Sequence, residues 1–460
     1  DNSHYAVNNL LRMLFDEHFC SGDKYLHFSY LAVVFFFCSH NLSKRFIIIF
    51  LLLPSLLAIW QAIQGAKVVF FDEIIYTSKY IFYFCAINTS EMILNRLSIL
   101  NYKNIPQAEI RFSPKMNCFF GNNGMGKTNL LDAIYYLSFA KSHIHTLDSQ
   151  IIRNEQDLCI VQGDYDYEGR NEEIFCAIRR KQRKQFKRNK KEYDKLSEHI
   201  GLLPLVMVSP ADSDLIRGGS EERRRFMDLI ISQQDKNYLH ALIQYNKALL
   251  QRNSLLKEQS TDNSLYEVLE MQLGLYGQAI YETRQRLVED FTPIFNRYYQ
   301  TICASTEEVG LKYISHLETD ELTEKLARNR ERDRILGYTS AGIHKDELEM
   351  TLGGYLIRRV GSQGQNKSYL IALKLAQFAF LNQRGKTTPI LLLDDIFDKL
   401  DANRVEQIVK LVSGEGFGQI FITDTNRKYL DAILTAMGGD HALFKVEQGE
   451  VTPMEDRQDA

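Results

Sequence analysis

The sequence predicts an α/β fold in which a mixed sheet with flanking helices is divided into two halves by a helical second lobe. A strand pattern, a glycine-rich loop and a helical pattern follow one another from residue 115. A continuous apolar run at residues 389–393 ends in two aspartates, and such a run is typical of a strand buried on both faces of a parallel sheet. A helix-rich segment separates these two parts. At 460 residues the chain is long enough for two or three domains.

The composition excludes several classes of protein. Hydrophobic residues make up 45% and charged residues 25% of the chain, values that argue against wholesale disorder and against a polytopic membrane protein. The net charge is -3, so contact with nucleic acid would need a local basic patch. The seven cysteines form no CxxC pair and no cluster with zinc-site spacing, which indicates a reducing compartment. We therefore predict a cytoplasmic protein.

Residues 1–91 differ in composition from the rest of the chain. They contain 19 of the 52 aromatic residues and the only tryptophan, Trp60. Their apolar run at residues 46–60 is shorter than the ~20 residues that span a bilayer, so we do not expect a membrane partner. We expect residues 1–91 to be an apolar extension, such as an upstream reading-frame product, outside a working fold that starts at Met92. A membrane-associating segment and a poorly packed accessory piece are the alternatives.

Residues 121–128 have the sequence GNNGMGKT, which is the P-loop pattern G-x-x-x-x-G-K-T between a predicted strand and a predicted helix. Its glycines allow successive backbone N–H groups to face phosphate oxygens, and the helix N-terminus adds partial positive charge. Lys127 would act as a catalytic cation at the β- and γ-phosphates, and the Thr128 hydroxyl would ligate Mg²⁺. We predict that ATP is bound by Gly121, Asn122, Asn123, Gly124, Met125, Gly126, Lys127, Thr128 and Asn129.

Asp394 and Asp395 end the apolar run at residues 389–393. Two carboxylates at the end of a buried strand are costly without a cation nearby, which favours a magnesium site. We predict that Asp394 is the metal-linked acid and that Asp395 is a catalytic residue that orients or deprotonates the attacking water.

A third motif lies 32 residues before Asp394, where Ser362, Gly364 and Gln365 precede a mostly apolar helical pattern. A Ser-Gly turn that opens a helix is an anion site, and here it resembles the signature motif of ABC-type ATPases. In that superfamily these residues would contact the γ-phosphate held by a second subunit, and Leu400-Asp401 would belong to the D-loop. Thr423-Asp424-Thr425 stands where transporter ATPases carry a histidine, so the γ-phosphate sensor is not assigned. Gln150 is a candidate for the Q-loop residue.

The motifs divide the chain into predicted domains. We place the first half of an ABC-type P-loop ATPase head at residues 92–208 and the second half, with signature motif and Walker B strand, at residues 336–460. Helical patterns at residues 221–232, 238–257 and 266–299 predict a helical lobe at residues 209–335, with too few heptads for long coiled-coil arms. The segment 209–219 has the composition of a linker.

From residue 92 to about residue 450 the chain resembles the RecF family of short-armed, SMC-like ATPases. The segments that carry the resemblance, besides the P-loop, are 93–97 (ILNRL), 101–104 (NYKN), 140–143 (AKSH), 209–212 (SPAD), 222–228 (ERRRFMD), 245–249 (YNKAL), 251–257 (QRNSLLK), 342–347 (GIHKDE) and 394–397 (DDIF). The resemblance implies a DNA repair, replication and SOS-response role at single-stranded and gapped DNA. It also implies weak ATPase activity, an ATP-dependent homodimer, and action with RecO and RecR to help RecA load.

A basic run at residues 179–191 provides the support for DNA contact that comes from the residues themselves. It contains nine Lys or Arg and no acidic residue, so it could neutralise several phosphates. A solvated hairpin tip is the alternative explanation. The predicted DNA-binding residues are Arg179, Arg180, Lys181, Arg183, Lys184, Lys187 and Arg188.

Two other functions remain open at this point. The ATPase subunit of an ABC-type transporter would suit the apolar first 91 residues, but such subunits usually lack a helical insert of about 130 residues. A small-molecule P-loop kinase would have no need for the signature-like turn or for the double aspartate.

Overall fold

The computed structural model describes residues 90–304, 307–397, 400–414, 416–427, 430–431, 434 and 440–454. The predictions for residues 1–89, and for residues 398 and 399 before the D-loop-like pair, lie outside the described residues. In chain order the strands are β1 (Ser90–Tyr102), β2 (Ile105–Arg111), β3 (Met116–Phe120), β4 (Leu158–Tyr167), β5 (Arg170–Arg179), β6 (Gln185–Arg188), β7 (Lys191–Glu192), β8 (Leu205–Val208), β9 (Val309–Ile314), β10 (Glu347–Leu352), β11 (Tyr355–Leu356), β12 (Thr387–Thr388), β13 (Ile390–Asp394), β14 (Ile420–Asp424), β15 (His441–Glu447) and β16 (Glu450–Met454). The helices are α1 (Lys127–Phe139), α2 (Asp214–Arg217), α3 (Ser220–Gln234), α4 (Lys236–Lys257), α5 (Asn263–Cys303), α6 (Leu322–Leu336), α7 (Ile357–Val360), α8 (Gln363–Arg384) and α9 (Ala402–Val412).

A six-stranded sheet holds the predicted chemistry at one edge. Its order is β16-β15-β3-β14-β13-β8, and all neighbours are parallel except the β15–β16 hairpin. The carboxyl ends of parallel strands meet at one edge of a sheet, which is where open α/β sheets bind ligands. The P-loop follows β3, the double aspartate follows β13, and β14 lies between them.

The apolar residues of this sheet face two cores. Successive side chains of a strand point to opposite faces, and along β13 Leu391 and Leu393 join one core whereas Ile390 and Leu392 join the other. In β14, Phe421 faces the core that contains α1, and its two isoleucine neighbours face the helices of the other core. Burial on both faces explains why these strands have continuous rather than alternating apolar sequence. The predicted mixed sheet with flanking helices is confirmed.

A second, mainly antiparallel sheet covers α1 from the other side. Its order is β12-β1-β4-β5-β6-β7, and β2 also pairs with β1. Buried Gln419 connects the two sheets, because its side-chain amide bonds both the N–H and the C=O of Leu94 at 2.8 and 3.0 Å. The basic run forms the outer end of this sheet. Strand β1 begins at Ser90, two residues before the expected start at Met92.

Two buried arginines join the helices that fall within the predicted helical lobe. Arg252 of α4 is fully buried and pairs with Glu270 of α5 at 3.0 Å and with Asp333 of α6 at 2.7 Å. Arg284, farther along the 41-residue α5, pairs with Asp228 at 2.8 Å. Breaking one partner of such a buried pair typically costs ~3–5 kcal/mol, so these pairs fix how the four helices α3 to α6 meet.

The linker expected at residues 209–219 is a wrong prediction. Residues 210–213 form a helical turn that leads into α2, and Ser209 and Asp212 cap it reciprocally. Asp212 also forms a buried ion pair with Lys374 of α8 at 2.7 Å. The composition was misleading because serine, aspartate and proline also start helices. In the described part of the chain, no helix has the length and apolarity that a membrane span requires.

Candidate nucleotide-binding site and basic hairpin

The predicted P-loop is a tight turn between β3 and α1. Gly124 and Gly126 have positive φ of 81° and 115°, which only glycine adopts readily. A Cβ atom on Gly126 would lie 2.9 Å from the side chain of Asn104, and one on Gly121 would collide with the carbonyl oxygen of Val446. Backbone conformation therefore requires Gly124, a close neighbour requires Gly121, and both require Gly126.

Lys127 is the first residue of α1 and lies under the loop. Its ammonium group donates to the carbonyl oxygens of Gly121 at 2.6 Å and Asn122 at 3.0 Å. The side chain is buried, with 6% of its surface exposed. The loop crest at residues 122–124 is exposed, so backbone N–H groups there are accessible to a ligand. Two further hydrogen bonds hold the loop in place. The carbonyl oxygen of Met125 accepts from the N–H of Gly449, and the side-chain amide of Asn129 donates to the side-chain oxygen of Asn104.

The two halves of the predicted site meet through Thr128 and Asp394. The Thr128 hydroxyl donates to Oδ1 of Asp394 at 3.0 Å across 266 positions of sequence, and the Thr423 hydroxyl donates to the same oxygen at 2.7 Å. A hydroxyl and a carboxylate are hard oxygen ligands, and Mg²⁺ is commonly bound by one or two carboxylates together with substrate phosphates. The residues present therefore fit the predicted cation. No cluster of three or more metal-binding side chains occurs in the described ranges.

Asp395 is held in an unusual backbone conformation directly after β13. Its φ is 49°, in the left-handed region that costs most residues energy and that aspartate tolerates better than most. Its N–H donates to both the carbonyl oxygen and the hydroxyl oxygen of Thr423, at 3.2 and 3.1 Å. The side chain is half-buried and so can meet a ligand at the edge of the sheet. Thr423 thus fixes both predicted acids.

At this edge of the sheet one cation, Lys127, lies near three carboxylates. Burial lowers the pKa of Lys127, and the negative charges of Asp395, Asp394 and Asp424 oppose that shift. Burial raises the pKa of Asp394, and the hydrogen bonds from Thr423 and Thr128 act against this rise. Burial also raises the pKa of Asp424, and the nearby charge of Asp395 adds to it. A cation at this edge would relieve the repulsion among the three acids.

The signature-like turn lies at the exposed start of α8. Ser362 is the N-cap: its hydroxyl accepts from the N–H of Gln365 at 3.2 Å, and the Gln365 side chain accepts from the N–H of Ser362 at 3.0 Å. A Cβ atom on Gly364 would lie 2.8 Å from the guanidinium of Arg404. In the described part of the chain, no hydrogen bond joins residues 361–365 to the P-loop. A role for these residues in the P-loop site of the same subunit therefore has no contact to support it.

The Q-loop candidate Gln150 ends a short helical turn at residues 148–150 and is exposed. The structure shows no contact between its side chain and the P-loop within the described ranges.

The basic run forms the β5–β6 hairpin and the turn into β7. Arg179, Arg180, Lys181 and Arg183 are exposed around the β5–β6 turn. In the described ranges, Arg179, Lys181 and Arg183 have no side-chain hydrogen bond or ion pair, whereas Arg180 donates to the carbonyl of Gln156 at 2.9 Å. The first part of the basic run is thus located at an exposed hairpin tip, as the alternative explanation predicted. This position does not decide whether the tip binds DNA.

The remaining basic residues of the run have partners within the protein. Lys184 pairs with Asp148 at 2.9 Å, and Arg188 holds Glu172 through two bonds of 2.8 Å. The bond from Arg188 lowers the pKa of Glu172. The ammonium of Lys187 lies 5.8 Å from the centre of the Phe175 ring. Lys184 and Arg188 are thus engaged in the fold, which leaves fewer cations for a ligand than the sequence suggested.

Comparison with known proteins places this geometry in a family. The family model described as "RecF/RecN/SMC N terminal domain" matches residues 93–448. The DNA replication and repair protein RecF of Parabacteroides distasonis is 83% identical over 365 residues, which cover 79% of this chain and all of that protein. The chain belongs to the RecF family. The protein of the same name from Bacteroides fragilis strain YCH46 is 60% identical over 369 residues, 80% of this chain and all of that one.

Solved RecF structures have the same architecture. The chain resembles the recombination mediator protein RecF-ATP of the RecFOR pathway with a TM-score of 0.72 at 28% identity, covering 79% of this chain and all of that one. The corresponding RecF-ATPrS structure gives a TM-score of 0.71 over 80% of this chain and all of that one. The predicted ABC-type ATPase head and the predicted RecF resemblance are both confirmed, and the transporter and kinase alternatives are no longer favoured.

The RecF-like segments of the sequence meet in a buried polar cluster behind the P-loop. Asp132 of α1 is fully buried and accepts hydrogen bonds from Tyr102, Ser142 and the N–H of His143 at 2.5–2.7 Å, and it pairs with Lys103 at 2.6 Å. His143 in turn contacts Ser209 at 3.1 Å. The matching segments 101–104, 140–143 and 209–212 therefore brace α1, and Asn104 of the first segment also packs against the P-loop.

Sequence reasoning assigned no role to Thr423, Asp424 or Asn104. Thr423 bonds both predicted acids, Asp424 adds charge beside Lys127, and Asn104 packs on the P-loop. The first two could have been found from topology. A strand that lies between the P-loop strand and the Asp394 strand must end between their functional residues. Asn104 comes from the β1–β2 turn, and no local pattern indicated that it would reach the loop.

Proposed function

We propose that this chain is an ATP-dependent DNA-binding protein of replication and recombinational repair. It binds ATP with Mg²⁺, dimerises in that form, binds single-stranded and gapped DNA, and hydrolyses ATP slowly to leave the DNA. In the cytoplasm it would work with RecO and RecR to help RecA load, including during the SOS response. The names of the RecF relatives and the RecFOR-pathway structures support this proposal.

The observation that carries the proposal is the hydrogen bond between Thr128 and Asp394. It joins the P-loop to the acid of a strand 266 positions away, as a nucleoside triphosphate site requires. Bound Mg²⁺ would supply positive charge at the phosphate oxygens, and Thr128 and Asp394 are the residues that would hold it. A chance glycine-rich turn would have no reason to meet a buried carboxylate at the edge of the sheet.

The residues around this pair can perform hydrolysis. The backbone N–H groups of the P-loop bind phosphate oxygens, and Lys127 moves from its two carbonyl partners to the phosphates. Asp395 orients the attacking water and accepts its proton, since it is half-buried whereas Asp394 is buried. Thr423 keeps the two acids in distinct roles by bonding the carboxylate of one and the backbone of the other.

The exposed position of Ser362 and the half-buried position of Gly364 beside it support dimerisation. The start of the 22-residue α8 offers N–H groups and a dipole to an anion, and in one subunit no contact joins it to the P-loop among the described residues. The γ-phosphate bound by a second subunit is the anion that the ABC-type resemblance assigns to this turn. ADP lacks that group, so it would not favour the dimer.

Asp395→Asn tests the coupling of hydrolysis to DNA release. The variant should still bind ATP but turn it over about 10²–10⁴-fold more slowly, which is the usual contribution of a positioned base. Its complex with gapped DNA and ATP should therefore last longer, as measured by stopped-flow anisotropy after addition of competitor DNA. Asp320→Asn, which removes a half-buried, ion-paired acid far along the chain from the P-loop, is the matched control.

Two results would contradict the proposal. Wild-type turnover in Asp395→Asn would exclude the assigned base. A DNA complex whose lifetime is the same with ATP and ADP would exclude coupling between the two sites.

A further inference from the structure

A concave site with a volume of about 260 Å³ lies beside the exposed cations of the basic hairpin. It is formed by the β5–β6 turn, β6, the residues after β7 and the helical turn at residues 148–150. This site is separate from the P-loop edge. Arg183 lines it and belongs to the same turn as exposed Arg179 and Lys181.

The floor of this site is aromatic and apolar. Phe186 is buried, with 1% of its surface exposed, and its ring centre lies 6.1 Å from that of Tyr193. Leu196 and the Tyr193 ring are half-buried, so they present apolar surface to the cavity. The Tyr193 hydroxyl bonds His199 at 3.0 Å, which fixes the ring. A rigid aromatic and apolar floor suits a flat ring.

The walls carry donors and acceptors but little net charge. Lys184 is paired with Asp148 at 2.9 Å, so the two charges offset one another. Glu192 and Arg183 are exposed charges of opposite sign. The side-chain amide of Gln182 has no hydrogen bond among the described residues, whereas its backbone N–H donates to the carbonyl oxygen of Arg179 at 3.2 Å. Balanced charge does not attract a phosphate into the cavity, whereas a neutral ring with polar edges finds donors and acceptors there.

The size agrees with a single ring system. Pockets for drug-sized ligands usually measure ~300–1,000 Å³, so this site lies just below that range and has room for a single ring system. The exposed cations of the turn lie outside the cavity, where a sugar-phosphate backbone would pass. Proteins that bind single strands combine these two features, a basic track and a platform for bases.

We propose that this cavity binds one unpaired base of single-stranded DNA while Arg179, Lys181 and Arg183 contact the neighbouring phosphates. The inference deepens the proposed DNA-binding function and rests on it. It gives the hairpin a preference for unpaired DNA, because bases in a duplex are stacked and paired and cannot enter.

The test compares two single-stranded oligomers of equal length, one of thymidylate and one fully abasic. They carry the same phosphates and differ only in bases. The wild type should bind the thymidylate oligomer roughly five- to a hundredfold more tightly, the range expected for one stacked base. Leu196→Trp, which fills the cavity, and Gln182→Ala, which removes a wall amide, should both reduce this ratio towards one.

Gln185→Ala is the matched control, because Gln185 is exposed on the same hairpin but does not line the cavity. It should keep the wild-type ratio. Equal affinity of the wild type for the two oligomers, with salt-sensitive binding of both, would overturn the base site and leave DNA binding intact. No binding of either oligomer would overturn the proposed function itself. A ratio unchanged in both cavity variants would also overturn the base site.

Discussion

The nucleotide edge and the basic hairpin differ in how their charged residues are supported. At the edge, Lys127 and Asp394 are buried and have hydrogen-bond partners from other strands and loops. At the hairpin, Arg179, Lys181 and Arg183 come from one contiguous turn, are exposed, and lack side-chain partners within the described ranges. Hydrogen bonds therefore hold the side chains of Lys127 and Asp394 in defined positions at the nucleotide edge. The three hairpin cations provide positive charge, but no side-chain partner in the described ranges holds them in place.

This difference indicates what each region can recognise. Buried groups interact strongly and lose much when one partner is removed, so the edge would recognise its proposed nucleotide through groups at fixed positions. Exposed cations interact through a screened field, so the proposed contact of the hairpin turn with a phosphate backbone would not by itself distinguish sequences. Discrimination at the hairpin would have to come from the cavity beside the turn.

The largest expected effect is that of Lys127→Ala on ATP affinity. It removes a cation whose charge-assisted hydrogen bonds are worth ~1.5–3 kcal/mol each, so the affinity should fall by at least about tenfold. Isothermal titration with ATP and Mg²⁺ measures it. Lys115→Ala is the control, because Lys115 directly precedes β3 at the end away from the P-loop and its ammonium forms an ion pair with Glu91. Equal affinities of the two variants would show that the edge does not hold the phosphates.

A smaller and different effect is expected from the triple variant Arg179→Ala, Lys181→Ala and Arg183→Ala. Each phosphate contact contributes ~0.9 to the slope of log K against log salt in duplex DNA and ~0.7 in single strands. The slope should therefore decrease by about 2 to 3, while ATP affinity stays at the wild-type value. Anisotropy titrations across a salt series provide the measurement.

Replacing Lys247, Lys257 and Arg286, three exposed cations of the helical lobe, by alanine removes the same charge elsewhere. That control should keep the wild-type slope. If both triple variants changed the slope equally, the hairpin would contribute only to the general field of the protein. Lys184 and Arg188 are left intact in the test because their ion pairs belong to the fold.

The sequence predicted the nucleotide edge more fully than it predicted the hairpin. The P-loop pattern and the Asp394 strand each carry a local signal, and the parallel sheet brings them together. The contribution of Thr423 could not be identified from its residue type, because threonine is common at strand ends. The pairing of Arg188 with Glu172 depends on a β5–β6 register that a run of basic residues does not specify. Because Phe186 lies within the basic run at residues 179–191, the sequence did not indicate that it is a core residue.

For the fold as well, the sequence predicted the elements that have a local pattern and missed the contacts between distant residues. Long apolar strands and amphipathic helices were predicted because their periodicity is local. The capping turn at Ser209 was mistaken for a linker because its partner, Lys374, lies on a helix more than 150 positions away. The buried Gln419 that joins the two sheets has no local signature either.

The central claim is that ATP bound by the P-loop of one subunit contacts the start of α8 in a second subunit and so joins the two. Sedimentation velocity of the wild type and of Ser362→Arg, each with ATP and with ADP, tests it most directly. Asp235→Ala, which removes the N-cap of α4 in the helical lobe, controls for the ~1 kcal/mol that a lost cap costs. We expect dimers with ATP and monomers with ADP for the wild type and this control, and monomers throughout for Ser362→Arg, which should still bind ATP. Equal dimer fractions with both nucleotides, or ATP-dependent dimers of Ser362→Arg, would contradict the claim.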